Sequence, residues 1–385
     1  MESVLSERKT LHQQDLERRQ FSAEAGRAVR ELAREISATL DLALTDPAAA
    51  ARTLADPALI ERIDAGAAQL PAELRHAVRP PATAAGAAIV GRLPLSDNEL
   101  GPTPPSWREA ARWSGDPALR AHSFELDLVM LLLARSAGEP FGWQGQQDGR
   151  LVNNIVPAAG HEHEQSGASS RVLLSPHTED AFHPRRAHLL MLGCLRNPDL
   201  VGTTVSSVRR IELSTEQRAV LSTPTLPILP DVSYGDGHEM YCAAPIPTLW
   251  SAGGPDQQTL RYDPAYTPLA EADPEFRAAY EQLTAELERV CVTAALEPGE
   301  LLLVDNDVAV HGRVPFTARY DGTDRWLKRV NIRLPERRRR TGEADENGYG
   351  QQIVAPFRAA LTSPVESGTD ERDAVRHDRG PFEHA

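Results

Sequence analysis

The strongest constraint on the fold is a change of texture along the chain. Residues 1 to about 78 are rich in Ala, Leu, Glu and Arg with few interior glycines or prolines, and Ala23 to Leu42 repeat apolar residues at helical spacing. From about Arg171 onward the chain breaks into short apolar runs divided by Gly, Pro and Asp. These are Arg171 to Leu174, His188 to Leu195, Thr203 to Val208, Met240 to Trp250, Leu301 to Val310 and Val330 to Leu334. Runs of this length between turn formers predict the strands of a sandwich or barrel. Proline clusters at Pro80-Pro81 and Pro102 to Pro105 mark loops between the two textures. Another apolar helix is predicted over Ala118 to Ala137, and one helix interrupts the strands. It starts with Asp273 as N-cap and Pro274 at the first helical position, and it keeps Phe276, Tyr280, Leu283 and Leu287 on one face. The expected organisation is a helical region at 1–80 packing on a mainly β core at 81–336. A polar tail at 337–385, opening with four arginines, is expected to pack poorly.

Charge and cysteine usage narrow the partners. The balance of 41 basic and 55 acidic residues, a formal −14, disfavours nucleic acid and anionic membrane surfaces. Cys194, Cys242 and Cys291 lie far apart with no CxxC spacing, which fits a reducing cytoplasm. Met1 to Gln20 hold no apolar h-region, and the strongest apolar run, Leu128 to Ala134, is far short of the roughly 20 residues a membrane helix needs. A cytoplasmic protein is expected, with a homodimer compatible with the helical first part.

Chemistry concentrates in two places. In Ser175-Pro176-His177-Thr178-Glu179-Asp180, the side chains of His177 and Glu179 are two residues apart, so on a strand both reach one side. A bare HxE pattern is common by chance and reads equally well as a surface strand end. His311 follows the apolar run Leu301 to Val304 and the turn residues Asp305-Asn306-Asp307, where a histidine is by default a satisfied core residue. Together, two imidazoles and one carboxylate would cover one face of an octahedral iron(II) ion and leave positions open for a co-substrate and dioxygen. Arg325, fourteen residues after His311, supplies a guanidinium of the kind that grips a carboxylate bidentately. The rival run Gly160-His161-Glu162-His163-Glu164 finds no completing group downstream and reads as a solvated loop.

Three blocks of the chain resemble the iron(II)/2-oxoglutarate oxygenases of the clavaminate synthase-like group, which includes free amino acid hydroxylases. They are His177 to Pro184, Leu301 to Arg313 and Ala318 to Arg329, and the likeness spans roughly Phe141 to Leu334. The resemblance implies a double-stranded β-helix, a jelly-roll barrel flanked by helices, with Fe(II) as its cofactor and 2-oxoglutarate and O2 as its co-substrates. It implies His177, Glu179 and His311 as iron ligands and Arg325 as partner of the distal carboxylate of 2-oxoglutarate. Thr204 sits where the family places a supporting hydroxyl, with Thr203 a close rival and plain strand propensity an alternative for both. Arg329 matches the arginine that takes the α-carboxylate of a free amino acid, and four residues from Arg325 it would share its strand face. Gln146, with Gln147 as second choice, matches the residue that touches the amino acid head group.

At the substrate's far end the family's arginine hydroxylases use acidic residues. The matching stretch, Leu260 to Tyr266, offers Asp263, but the second acid expected two residues later is Ala265. This departure leaves lysine, ornithine, citrulline and arginine types open, and Asp263 before Pro264 also reads as a plain turn residue. The expected reaction is hydroxylation at the β or γ carbon of a free L-amino acid in specialised metabolism. Desaturation and action on a carrier-tethered aminoacyl group stay open, as does a non-catalytic cupin-like binding role. Glu179 at the carboxylate position disfavours halogenation.

Overall fold

Strands without polar alternation belong where both faces of a sheet are covered. Leu189–Arg196 and Leu301–Asp305 are of this kind and are buried throughout. The computed structural model describes residues 16–43, 46–119, 123–235, 238–242, 244–251, 258–337 and 339–357. In chain order the strands begin with β1 (Glu17–Gln20), β2 (Ala87–Gly91), β3 (Glu139–Trp143), β4 (Asn153–Ile155), β5 (Leu174–His177), β6 (Leu189–Arg196) and β7 (Thr203–Ser207). They continue with β8 (Leu249–Ser251), β9 (Gln258–Leu260), β10 (Val292–Ala294), β11 (Leu301–Asp305), β12 (Ala309–Arg313), β13 (Trp326–Arg333) and β14 (Ile353–Val354).

A large sheet runs in the order β1-β2-β11-β6-β13-β3-β14, with β4 also paired to β13, and a smaller antiparallel sheet runs β10-β7-β12-β5. Strand alternation sends side chains of the large sheet into two cores. Leu189, Met191, Leu301 and Leu303 join a helical core with Val29, Ile63 and Leu128, from the helices Ala23–Ala43, Pro57–Gln69 and Phe124–Ala137. Their neighbours Leu190, Leu192, Leu302 and Val304 join Val205, Val292 and Val310 of the smaller sheet in a second core. Each fully buried Leu stabilises by roughly 2 kcal/mol relative to an exposed one, so the central strands are anchored from both sides. The helix Pro274–Arg289 closes the second core with Tyr280, Leu283 and Leu287; its N-cap Asp273 accepts from Phe276 N at 2.8 Å.

Several expectations are corrected. The run Leu301 to Val310 is two strands in different sheets, β11 and β12. Asp305 turns the chain between them by accepting from Val308 N on its carbonyl and from Asp307 N on its side chain. Met240 to Trp250 is mostly irregular and contributes only the start of β8. The charged segment Glu17–Gln20, expected to be helical, is a parallel edge strand on β2, because that edge is otherwise unpaired. Helices take up more residues than strands, so the helical share exceeds what a mainly β chain suggests.

The tail also differs in part from expectation, since residues 339–357 are anchored to the core at a few points although much of the segment stays exposed. Glu343, Tyr349 and Phe357 are buried, and β14 pairs with β3. The tail's arginines find acids to meet: Arg337 holds Asp305 and Asp307, and Arg339 bonds Asp307. Residues 358–385 lie outside the described residues. Among the described residues no helix is long and apolar enough to cross a membrane.

Candidate functional site

His177 ends β5 and His311 lies on β12, and the two are direct cross-strand partners. Such pairing places side chains side by side, and the imidazole centroids are 4.5 Å apart. The close approach depends on Gly312: a Cβ there would lie 2.4 Å from Leu174 O and 2.9 Å from Thr204 Oγ1. Glu179 Oε2 is 3.3 Å from His311 Nε2 and 3.8 Å from His177 Nε2. One ligand atom from each of the three residues falls within a 4.8 Å envelope, the one such cluster among the described residues. His177 Nδ1 faces Ser175 O at 2.9 Å, which directs its other nitrogen at Glu179. Glu179 Oε2 is buried and accepts no hydrogen bond from the described residues. An orphaned carboxylate oxygen between two imidazole nitrogens fits a divalent cation of the iron type.

Electrostatics are strong in this pocket. Burial would raise the Glu179 carboxyl, but Arg329 and the two imidazoles hold it well below the usual carboxylate range. Burial also opposes a charged His177, yet the nearby Glu179 carboxylate and the charge of Asp263 push it up to about 9. His311 is lowered by burial and by the charge of His177. The Glu179 backbone is clamped as well: Asn306, fully buried, accepts from Glu179 N at 2.8 Å and donates to Glu179 O at 3.0 Å. Asn306 was not singled out in the sequence, where it reads as a turn residue.

A cavity of about 480 Å³ opens beside the triad. Arg325, Leu327 and Arg329 line it from β13 and the residue before it, while the intervening Lys328 points the other way. There Lys328 Nζ donates to Asp127 at 2.5 Å and Asn154 at 3.0 Å, and Arg150 bonds the same Asp127. Arg325 is buried and has no carboxylate partner among the described residues; its Nη2 donates to Thr203 Oγ1 at 3.1 Å. Burial lowers it to about 10. An unpaired buried guanidinium is costly, and a ligand carboxylate would compensate it. The hydroxyl beside Arg325 is that of Thr203. Thr204, the first choice from sequence, alternates to the other side of β7 and lies against Gly312, which corrects that preference.

Arg329 is already engaged, donating to Glu179 Oε1 and Gln146 Oε1 and, at 2.8 Å, to Asn153 Oδ1. Gln146 lines the cavity and donates to Ser233 Oγ at 2.9 Å. Gln147, its alternative, also lines the cavity, but both ends of its amide are spent on the backbone of Asn154.

Loops furnish the remaining wall. Asp263 lines the cavity, accepts from Ala265 N at 3.1 Å, and is pushed up to about 6 by burial against the opposing charge of His177. Asp231, not singled out in the sequence, lines the same cavity, and its charge is felt by Asp263. It accepts from Ser233 N at 2.6 Å and is raised by burial. Thus a second acid is present, contributed by a segment some thirty residues before the position where Ala265 stands. His161 and Glu164 of the rival HxH run pair with each other at the exposed cavity rim, 2.8 Å apart.

Comparison with known proteins adds independent findings. Residues 131–331 match the family described as taurine catabolism dioxygenase TauD, TfdA family. The chain is 37% identical to an enduracididine beta-hydroxylase of Streptomyces hygroscopicus, over 64% of this chain and 76% of that one. It is 33% identical to an L-ornithine/L-arginine 3-hydroxylase of Catenulispora acidiphila, over 63% and 75%. Among solved structures, the non-heme iron oxygenase OrfP in complex with Fe and alpha-ketoglutaric acid superposes with a TM-score of 0.68 at 35% identity, covering 82% of this chain and 94% of that one. Asparagine oxygenase in complex with Fe(II), 3-hydroxyasparagine and succinate gives 0.68 at 31%, covering 82% and 93%.

Proposed function

Since this chain belongs to the TauD/TfdA dioxygenase family, we propose that it hydroxylates a free L-amino acid with a cationic or extended polar side chain. Its cofactor is then iron(II) and its co-substrates 2-oxoglutarate and dioxygen, in the cytoplasm and without nucleic acid or membrane. The two sheets are read as the halves of a double-stranded β-helix. The helical first part and the segment 339–357 brace it, within the divisions 1–80, 81–336 and 337–385. One observation carries the substrate reading. A single cavity beside the triad brings together Arg329 on β13, Arg325 directly before that strand, and two loop carboxylates, Asp231 and Asp263. Two ligands satisfy all four: 2-oxoglutarate brings a carboxylate to Arg325, and an amino acid brings a carboxylate to Arg329 and a cationic end to the acids.

When bound, iron(II) with 2-oxoglutarate would activate dioxygen, so that one oxygen atom ends in the C–OH that replaces C–H and the other in succinate, with carbon dioxide released from 2-oxoglutarate. The protein's part is placement. His177, Glu179 and His311 would hold the metal. Arg325, with Thr203, takes the distal carboxylate of 2-oxoglutarate, and its burial excludes water from that ion pair. Arg329 takes the α-carboxylate of the amino acid, and Gln146 and Glu179 face its ammonium. Asp231 and Asp263 select the far end. Because these acids come from separate segments, their spacing is independent of a local Asp-x-Asp motif, so Ala265 does not by itself exclude a guanidinium.

The test is succinate release with iron(II), 2-oxoglutarate and a panel of free amino acids, with product masses measured. Stimulation by arginine, ornithine, lysine or citrulline types with a mass gain of one oxygen is the expected result. Turnover confined to a carrier-bound aminoacyl group would overturn the free amino acid reading.

A further inference from the structure

Resting on the amino acid reading of the cavity, we infer that Tyr234 is a positioning residue: its bond to Asp180 fixes the segment 231–235 so that Asp231 and Ser233 face the amino acid. Asp231 and Ser233 both line the cavity, and Ser233 Oγ accepts from the Gln146 amide at 2.9 Å. Between and after them, Val232 is 57% exposed and Tyr234 only 4%. The segment is not stitched into a sheet. Its amides bond locally, Ser233 N to the Asp231 carboxylate, Tyr234 N to Asp231 O and Gly235 N to Val232 O. Among the described residues, the one bond by which its backbone N–H groups leave the segment is Val232 N to Tyr266 Oη, at 3.4 Å. Side chains must therefore hold it in place: Ser233 meets the buried Gln146, and Tyr234, itself buried, reaches the buried Asp180.

That anchor is well defined. Tyr234 Oη donates to Asp180 Oδ1, while Asp180 Oδ2 accepts from Trp143 Nε1 at 2.7 Å and Asn331 Nδ2 at 3.1 Å. Asp180 thus ties β3, β13 and the segment 231–235 to one carboxylate that directly follows Glu179. The ring packs edge-on against Phe182, with centroids 4.8 Å apart, and against Trp143 at 6.1 Å. Gly235, at φ 74°, adopts the left-handed conformation just after Tyr234 and lets the chain turn away. Loss of the hydroxyl would leave the ring packed but remove the directional tie, so Asp231, Ser233 and Gln146 would lose their common register.

The experiment is Tyr234→Phe, an isosteric change, read in two ways. In the protein without added metal or substrate, amide exchange at 231–235 should quicken about fivefold, as expected for one lost hydrogen bond, while β6 and β13 stay at wild-type rates. In turnover, KM for the amino acid should rise roughly threefold to tenfold by the same reckoning, with KM for 2-oxoglutarate unchanged and more succinate formed per hydroxylated product. Unchanged exchange at 231–235, or an equal loss at both KM values, would overturn the assignment. The exchange arm needs no substrate, so it decides the role of Tyr234 even if no free amino acid on the panel is turned over.

Discussion

The cavity has two walls built in different ways. One is carried by strands: His177, His311, Thr203 and Arg329 sit on β5, β12, β7 and β13, with Arg325 directly before β13. The other is carried by loops, with Asp231, Ser233 and Asp263 outside the strands. The strand wall is locked by two apolar cores and by buried contacts such as Asn306 on Glu179. The loop wall depends on single side-chain ties such as Tyr234 to Asp180. Reactivity placed on strands is held to tight tolerances, whereas selectivity placed on loops can change residue by residue.

Breaking the strand wall should have the largest effect. His311→Ala should lower turnover by more than about 100-fold and cut the iron retained after gel filtration, measured by elemental analysis. Full iron content with full activity would remove His311 from the metal site. Next in size, Arg325→Gln should raise KM for 2-oxoglutarate roughly 10- to 100-fold, the scale of charged hydrogen bonds lost from a buried site. KM for the amino acid should move little, and a comparable rise in both would place Arg325 elsewhere.

On the loop wall, Asp231→Asn and Asp263→Asn should each weaken a cationic amino acid about tenfold and leave 2-oxoglutarate untouched. Neutral analogues should be indifferent to both changes; if they suffer equally, the acids serve the fold rather than the substrate.

The smallest effect concerns the brace behind the loops. Arg261 donates to both oxygens of Glu346 at 2.9 and 2.8 Å, two residues before Asp263, and Arg186 bonds Glu343 at 2.9 Å. Burial would raise the Glu343 carboxyl, but the charges of Arg186 and Arg261 hold it below its ordinary 4.5. Because the folded value is the lower one, its contribution is complete above the unfolded value and fades as pH falls through the folded value. Glu343→Gln, which keeps the side chain's shape but loses a charged hydrogen bond, should therefore cost about 2 kcal/mol near neutrality and progressively less below pH 4.5, as followed by urea melts. A constant difference down to strong acid would show that the pair is not the cause.

The same contrast explains what was legible in the sequence. His177, Glu179, His311, Arg325 and Arg329 could be picked out because strand alternation and family-like blocks fix them relative to one another. Choosing between Thr203 and Thr204 required knowing which face of β7 looks inward, a fact set by its partners β10 and β12. Asp231 was invisible since Asp-x-Ser in a coil reads as a turn, and indeed its carboxylate does cap Ser233 N. Asp127 was missed for the opposite reason: within an apolar helix its charge has no local partner, and Lys328 and Arg150 reach it only in three dimensions. The anchoring of the tail is not legible from its polar, arginine-rich composition, because the acids that Arg337 and Arg339 meet, Asp305 and Asp307, lie about thirty residues earlier in the sequence.

Gly312 touches no ligand atom, yet it sets how far apart two of them stand. The separation of β5 from β12 at His177 and His311 is a backbone-to-backbone distance that any side chain at position 312 would force open. Substitutions there are therefore graded by volume rather than by chemistry, and even alanine is too large. Asp231 and Asp263, proposed to select the substrate's far end, lie on loops outside the strands, whereas position 312 admits no side chain without moving the strands that carry the two histidines.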